Sequence, residues 1–398
     1  MRNEFAAAAD ALLRKLTEGE PRLPGVVAAL TDRHGNVFER AAGRRVEGSA
    51  TAMTVDSIFA LYSTTKAITS TAVLQCVEEG LVDLDAPART YAEELGDAKV
   101  IEGFEDDGTP KLRPPRREIT TRMLMLHTAG FAYDSFDPTY YRLVREGRQP
   151  SFLTARKAAL SAPLLFDPGE RWQYGINVDW CGQIVERVRG KRLGEVMESL
   201  IFQPLGLTDV GFTLTDTMRS RLATMHQREP DETLRPLPDM ILPQDPEVEM
   251  GGHGLYASVV DYMKFIRMWL NDGRGERGTV LRPETVRTAS LNGLGDLKIG
   301  PISGVTPISK PFEFFPGMPK SWSYGFMVND EDAPTGRPAG SLGWSGGTNT
   351  YYWIDPRNGI GGFWATQMRP FPDHVSFEGF MQFETAAYRA LRGSEPAA

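Results

Sequence analysis

Apolar residues cover nearly every face of one segment of the chain, residues 57–80. A short apolar run at 58–62 is followed by residues 63–79, where small and aliphatic side chains dominate and the polar positions in the middle are Thr, Ser and Gln. A helix that is apolar on nearly all sides belongs inside a large domain, and Gly80 is suited to end it. The pattern predicts a buried helix over 63–79, around which the rest of the fold is arranged.

Strand patterns occur near both ends of the chain. Strands are predicted at 25–30, 37–41, 322–329, 350–354 and 360–367. The sequence His34-Gly35-Asn36 supplies a turn between the first two strands, so these form a hairpin. Helices are predicted at 1–16, at 259–270 behind a capping box of Ser258 and Asp261, and at 376–391. One sheet built from both ends and flanked by helices is an α/β (or α+β) fold, with a sheet domain formed by residues 1–83 and 245–398.

The middle of the chain, residues 84–244, has mainly helical patterns. One helix is predicted at 119–127, opened by Thr120 and Thr121, and another at 177–189. We interpret this region as an all-helical lobe inserted into the sheet domain, and the cleft between the two parts is the predicted active site. A Gly- and Pro-rich segment at 291–320 is predicted to be an extended loop, and loops of that length in compact proteins often shape function.

Composition excludes several classes of function. The chain has 398 residues, 41 % hydrophobic and 24 % charged, with a net charge of -8, values typical of a globular protein in water. No long basic patch favours nucleic acid as a partner. No apolar run reaches the roughly 18 residues of a membrane span. The N-terminal segment reads as an amphipathic helix with acidic residues and not as a signal peptide, so we expect a cytoplasmic protein.

Neither the cysteines nor the histidines form a metal-binding pattern. Cys76 and Cys181 both fall in helical patterns, which favours two buried free thiols and a reducing compartment over a disulfide. The five histidines are scattered without paired spacing, and no phosphate-binding glycine loop is present. The sequence therefore predicts no metal and no cofactor.

The start of the predicted buried helix carries candidate chemistry. Ser63 lies where the helix begins, and Lys66 follows three residues later, so the two side chains share a helix face. A serine hydroxyl becomes a good nucleophile when a neighbouring base takes its proton, and burial favours the neutral, basic form of a lysine. The unpaired N–H groups of a helix N-terminus also suit a developing oxyanion. The alternative interpretation is a serine N-cap with a lysine in the first turn.

A second serine competes with Ser63. The sequence Gly343-Trp344-Ser345-Gly346-Gly347 satisfies G-x-S-x-G, the nucleophile elbow of α/β-hydrolases. That motif requires a following helix and then an acid and a histidine in order. The segment that follows is β-rich and aromatic, and only His374 lies downstream, so a glycine-rich strand edge is the favoured interpretation.

Three motifs in chain order resemble the serine β-lactamase and penicillin-binding protein superfamily: S-T-T-K at 63–66, W-Q-Y-G-I-N at 172–177 and W-S-G-G at 344–347. Within it, the chain is most similar to the family VIII carboxylesterases, relatives of class C β-lactamases. The segments 119–130, 166–169, 251–255 and 353–356 add to the likeness, which covers roughly residues 20–390. The resemblance implies an antiparallel sheet flanked by helices, with an inserted helical lobe.

The resemblance also implies roles for particular residues. Ser63 would be the acylated nucleophile, Lys66 its proton acceptor and Tyr174 the second general base. The backbone N–H groups of Ser63 and Gly347 would form the oxyanion hole. Substrate-binding positions would be Tyr133, Asn177, Trp344, Ser345 and Gly346, whereas His127 and Asp179 are interpreted as structural.

Two departures from the β-lactamase pattern favour esters. Ile176 stands where β-lactamases have an asparagine, and Trp344 stands where they have a lysine. Both changes remove groups that hold the polar amide and carboxylate of a β-lactam. The first hypothesis is a serine carboxylesterase acting on short-chain acyl esters through an acyl-enzyme. A second is a β-lactamase, D-amino-acid amidase or peptidase, or acyltransferase on the same residues, and a third is a non-catalytic binding protein.

Overall fold

A computed structural model describes residues 2–306 and 308–393 of the chain. Its strands are β1 (Gly25–Thr31), β2 (Asn36–Gly43), β3 (Ile58–Ala60), β4 (Val100–Phe104), β5 (Pro110–Arg113), β6 (Val210–Gly211), β7 (Met225–Arg228), β8 (Leu234–Leu237), β9 (Tyr256–Ser258), β10 (Lys320–Trp322), β11 (Met327–Asn329), β12 (Leu342–Gly346), β13 (Thr350–Asp355), β14 (Ile360–Ala365) and β15 (Met368–Arg369).

Helices alternate with these strands and cover the main sheet. They are α1 (Arg2–Glu18), α2 (Thr65–Glu78), α3 (Thr121–Met125), α4 (Pro138–Arg145), α5 (Lys157–Leu160), α6 (Asn177–Arg189), α7 (Leu193–Met197), α8 (Gln203–Leu205), α9 (Asp216–Ser220), α10 (Val259–Leu270), α11 (Pro283–Ala289) and α12 (His374–Arg392).

The main sheet is built from both ends of the chain, which confirms the predicted fold class. Its strands run in the order β10-β11-β12-β13-β14-β1-β2, and every neighbouring pair is antiparallel. The pairing of β1 with β14 joins the N-terminal hairpin to the C-terminal strands. Strands β13 and β14 are buried along their whole length, so both faces of the sheet must be covered by helices.

Alternation along β13 shows how the two faces are covered. Tyr351 and Trp353 contact Phe380 of α12, with ring centroids 5.0 and 5.9 Å away. Tyr352 points to the opposite face, where its ring lies 5.4 Å from that of Tyr262 in α10. Successive side chains of a strand point to opposite faces, so α12 covers one face and α10 the other. Helix α2, which is buried from Thr65 to Cys76, belongs to the same hydrophobic core as α10.

The middle segment, residues 84–244, is mainly helical but not all-helical as the sequence predicted. It contains the hairpin β4–β5, the hairpin β7–β8 and the short strand β6. Strand β6 pairs with β9 and β7 pairs with β15, so part of this segment hydrogen-bonds to the C-terminal half of the chain. These strands have only two to five residues each, too short for a clear period-two pattern. The boundaries of the two predicted domains stay a prediction.

The strand predicted at 322–329 was wrong in one respect, because the segment forms parts of two strands, β10 and β11. They are joined by a tight turn in which Ser323 N donates to Phe326 O at 2.8 Å. Gly325 adopts a φ of 104°, a conformation open mainly to glycine, so the chain can reverse there. The loop predicted at 291–320 has no helix or strand among its described residues up to 319, and Lys320 already belongs to β10.

Other predictions concern single elements. Thr120 caps α3 through its side chain, as predicted, and Ser258 caps α10 in the same way. The predicted capping box is incomplete, because the Asp261 carboxylate accepts from Thr208 N and Asp209 N instead. Cys76 and Cys181 are buried free thiols. Within the described residues, no helix is long and apolar enough to cross a membrane, and no group of His, Cys, Asp and Glu side chains could hold a metal ion.

Candidate active site

Ser63 lies in a 3₁₀ turn, Tyr62–Thr64, that leads directly into α2. The N-cap of α2 is Thr64 and has no side-chain cap bond, so the interpretation of Ser63 as an N-cap is wrong. The preceding residue, Tyr62, has a φ of 46°, a left-handed conformation uncommon for a residue other than glycine. Such conformations cluster at functional sites. The turn leaves Ser63 half-buried at the edge of a cleft, while Lys66 is completely buried.

Lys66 has three polar neighbours. Its Nζ lies 3.2 Å from Ser63 Oγ, 3.0 Å from the Tyr133 hydroxyl and 2.8 Å from the carbonyl oxygen of Gly252. Burial lowers the pKa of Lys66 to about 7, although the charge of Asp179 partly opposes this effect. A substantial fraction of Lys66 is therefore neutral at neutral pH.

The direction of these hydrogen bonds orients a neutral Lys66. The Tyr133 hydroxyl donates to Asp179 Oδ2 at 2.8 Å, so it can only accept from Lys66. The carbonyl of Gly252 also only accepts. The two N–H bonds of a neutral amine satisfy these acceptors, and its lone pair is left for the Ser63 hydroxyl. The neutral amine of Lys66 can therefore accept the proton of Ser63.

Tyr174 lies on the other side of the nucleophile. Trp344 Nε1 donates a hydrogen bond of 3.0 Å to its hydroxyl, and Lys66 Nζ lies 4.6 Å from the centre of its ring. Burial raises the pKa of Tyr174, and the nearby Ser63 hydroxyl and the hydrogen bond from Trp344 only partly offset this. Tyr174 is therefore a neutral phenol at neutral pH, suited to donate a proton, and a resting phenolate is not favoured. Six neighbouring rings surround it: His127, Tyr133, Phe136, Trp172, Trp322 and Trp344.

The end of β12 packs against the turn that holds Ser63. A Cβ atom at Gly346 would lie 2.3 Å from the carbonyl oxygen of Leu61, so only glycine permits this approach. Thr348 Oγ1 also donates to Ala60 O at 3.1 Å. Gly347 consequently lines the same cleft as Ser63. Within the described residues, the backbone N–H groups of Ser63 and Gly347 have no hydrogen-bond acceptor, which leaves them available for an oxyanion.

Asp179 organises the buried side of the site, which the sequence reasoning did not foresee. Besides accepting from Tyr133, it accepts from Gly252 N at 2.8 Å and lies 3.4 Å from His253 Nδ1. Burial raises the pKa of Asp179, but its interactions with the nearby His253, Lys66 and Tyr133 leave it below the usual value. Asp179 thus stays ionised and holds both Tyr133 and the backbone at Gly252, the two acceptors of Lys66.

Three of the predicted substrate-binding residues lie elsewhere. Ser345 pairs with Tyr351, so its side chain points to the α12 face of the sheet, away from Trp344 and Tyr174. The strand β12 turns directly into β13, and a nucleophile elbow there is excluded because no helix follows. Asn177 is fully buried and bonds to His127 Nδ1 at 3.0 Å. Gly346 contacts the protein backbone and not the cleft.

Tyr133 lines the cleft, as predicted, whereas Trp344 reaches the site only through Tyr174. The cleft has a cavity volume of about 50 Å³. It is therefore narrow. Its other lining residues are mainly apolar, and they include Phe136, Phe152, Leu153, Ile308 and Phe371. Larger depressions on the surface contain neither Ser63 nor Lys66.

Known proteins match this chain over most of its length. A sequence-family model described as Beta-lactamase matches residues 9–378. Lovastatin esterase from Penicillium rubens is 32 % identical over 87 % of this chain and 89 % of its own length. Monacolin J acid methylbutanoyltransferase from Aspergillus terreus is 31 % identical over 97 % of each chain.

Solved structures share the fold. Unliganded simvastatin synthase from Aspergillus terreus has a TM-score of 0.82 at 28 % identity, over 98 % of this chain and 100 % of that one. A family VIII carboxylesterase has a TM-score of 0.66 at 20 % identity, over 97 % of each chain, and supports the fold alone.

Proposed function

Because this chain belongs to the beta-lactamase family, an enzyme family of serine hydrolases and acyltransferases, we propose that it is a serine carboxylesterase that forms an acyl-enzyme on Ser63. The observation that carries the proposal is the contact of Ser63 Oγ with a buried Lys66, 3.2 Å away, whose pKa burial lowers to about 7. A nucleophile beside a base of that pKa matches the demands of acyl transfer at neutral pH.

Acylation follows from the positions of these groups. Neutral Lys66 takes the hydroxyl proton of Ser63 as Oγ attacks the ester carbonyl carbon. The resulting oxyanion is held by the N–H groups of Ser63 and Gly347. When the intermediate collapses, the C–O bond to the alcohol breaks, and the alkoxide takes the proton of the Tyr174 hydroxyl. Protonated Lys66 then gives its proton to the hydroxyl of the departing alcohol as that hydroxyl returns a proton to the Tyr174 phenolate. Lys66 and Tyr174 are both neutral again, and the acyl group stays on Ser63.

Deacylation repeats these steps in reverse with a second nucleophile. Water gives hydrolysis, and an alcohol gives transfer of the acyl group. Transfer is the second candidate function, because relatives that match nearly the full chain are named as acyltransferases as well as an esterase. The narrow apolar cleft supports short acyl groups. Trp344 supports esters over β-lactams, since a neutral indole stands where the β-lactamase motif has a cation.

The test is turnover of p-nitrophenyl acetate, butyrate and octanoate, with 1-butanol added in a second series. We expect the acetate and butyrate esters to react faster than the octanoate, and a butyryl group on Ser63 to appear by mass spectrometry after rapid quenching. Butyl butyrate in the second series would identify acyl transfer. Absence of hydrolysis, transfer and adduct would refute the proposed function.

Asp179→Asn is expected to shift the pH dependence of catalysis. Because the charge of Asp179 raises the pKa of Lys66, its removal favours neutral Lys66 at lower pH. The pH at which kcat/KM for p-nitrophenyl butyrate reaches half of its maximum should therefore fall below about 7, the wild-type pKa of Lys66. Asp330→Asn, which changes a carboxylate bonded to Ser321 and Lys298 outside the site, is the control. An unchanged or higher midpoint in the Asp179 variant would contradict this role.

A further inference from the structure

One cationic side chain lines an otherwise apolar part of the cleft. Arg369 ends β15, which pairs in parallel with β7, and it is half-buried among the residues that enclose Ser63. Its Nη1 has a weak contact of 3.6 Å with the sulfur of Met240. Among the described residues, no Asp or Glu lines the cleft and no carboxylate forms an ion pair with Arg369.

The half-buried Arg33 and Arg45 donate to backbone carbonyls, whereas other buried or half-buried arginines have carboxylate partners. Arg221 lies 2.6 Å from Asp209, Arg228 lies 2.5 Å from Asp373, and Arg337 lies 3.1 Å from Glu384. A guanidinium taken partly out of water keeps a strong preference for an anion, which it can bind through two parallel hydrogen bonds. Arg369 differs from all of these because its guanidinium lines the cleft that contains Ser63 and forms no ion pair among the described residues.

The cation lines the same cleft as the nucleophile, so one bound substrate can extend to both. Arg369 and Tyr62, the residue before Ser63, line the same cleft. Burial raises the pKa of Tyr62 to about 12, while the charge of Arg369 acts in the opposite direction. When a substrate places its ester carbonyl at Ser63, the positive charge of Arg369 lies near one end of it. Aromatic side chains of the cleft, among them Phe152 and Phe371, surround the rest of the substrate.

We propose that Arg369 binds a carboxylate of the substrate, so that the preferred ester or its alcohol partner is an organic acid with an apolar body. The catalytic consequences rest on the proposed acyl-enzyme function, whereas binding of the carboxylate does not. The carboxylate belongs either to the acyl part or to the alcohol part of the ester. In both cases the guanidinium of Arg369 would bind it. No covalent step is involved.

Matched esters test the proposal and distinguish the two sources. The acyl arm compares the p-nitrophenyl monoester of glutaric acid with its methyl-capped analogue. The alcohol arm compares 4-(butyryloxy)benzoate with its methyl ester. Arg369→Gln should lower kcat/KM about tenfold or more for the carboxylate member of one pair, because a hydrogen-bonded charge partner is lost, and change the neutral members by less than about twofold.

Two further variants complete the series. Arg369→Lys should recover part of the lost activity, since it keeps the charge without the planar fork. Arg357→Gln, which changes an exposed arginine in the turn between β13 and β14, should leave all four esters unchanged. Equal losses on the carboxylate and neutral esters of both pairs, or no loss on any, would overturn the proposal.

A binding measurement separates this proposal from the proposed function. Calorimetry of Ser63→Ala with 4-phenylbutyrate and with 4-phenyl-1-butanol needs no turnover. Adding Arg369→Gln to that variant should weaken binding of the acid about tenfold and leave binding of the alcohol unchanged. An acid that binds equally well with and without Arg369 would overturn the proposal. If no ester acylates Ser63, the proposed function fails, but this comparison still decides the role of Arg369.

Discussion

Replacing Ser63 with alanine is expected to lower kcat for p-nitrophenyl butyrate by on the order of 10⁴-fold or more, as loss of the nucleophile does in other serine enzymes. The change removes one oxygen atom from a half-buried position in the turn Tyr62–Thr64, so the fold should persist. The backbone N–H groups that would bind the oxyanion also remain. The measurement is the initial rate at pH 8, with the intact mass of the quenched protein recorded in parallel.

Ser345→Ala is the matched control. It deletes the same atom from the rival motif, in a strand whose Ser345 side chain faces α12 and not the cleft. We expect it to keep wild-type activity within about twofold, the usual range for a substitution away from the site. A fluorophosphonate probe should label wild type and Ser345→Ala and should leave Ser63→Ala unlabelled. Full activity in Ser63→Ala would refute the nucleophile assignment.

The nucleophile and its base could be predicted because they depend on local structure. Residues three apart share a face of any helix, so the distance between Ser63 and Lys66 follows once α2 exists. The helix itself is evident from the uniformly apolar segment that it forms. Its burial, which the same apolar pattern predicts, also lowers the pKa of Lys66.

The residues that hydrogen-bond to Lys66, or that position its partners, could not be predicted from local sequence patterns. Tyr133 and Asp179 are 46 residues apart, and Lys66 and Gly252 are 186 apart. Contacts at such separations are set by the packing of several helices and leave no periodic pattern in the sequence. One signal was available in hindsight, namely an acidic residue on the apolar face of the helix predicted at 177–189.

The errors around Trp344 have a simple geometric cause. Trp344, Ser345 and Gly346 were grouped because they are adjacent in one motif, but neighbours in a strand point to opposite faces. Only the register of β12 against β13 decides which of them faces Tyr174. The motif therefore located the strand correctly, whereas the role of each residue required the sheet.

Replacing Lys66 with arginine is expected to lower kcat/KM by about 10³-fold, within the range for loss of a general base. Arginine keeps the positive charge and the ability to donate hydrogen bonds, but it does not give up its proton at any accessible pH. A large loss would therefore show that Lys66 acts as a base and not as a fixed cation. Lys264→Arg is the control, because Lys264 also donates to a backbone carbonyl, Gly206 O at 2.7 Å, outside the cleft.

The pH profile of the wild type provides the second half of this test. Burial lowers the pKa of Lys66 to about 7, so the reactive neutral form is lost as the pH falls through that value. We expect kcat/KM to decrease tenfold per pH unit below about 7 and to level off above it, until the phenol of Tyr174, whose pKa is raised by burial, loses its proton at high pH. In Lys66→Arg, kcat/KM should be low and should no longer change with pH around 7. A wild-type rate that is constant between about pH 5 and 9 would show that the amine is not the proton acceptor, even if Ser63 is acylated.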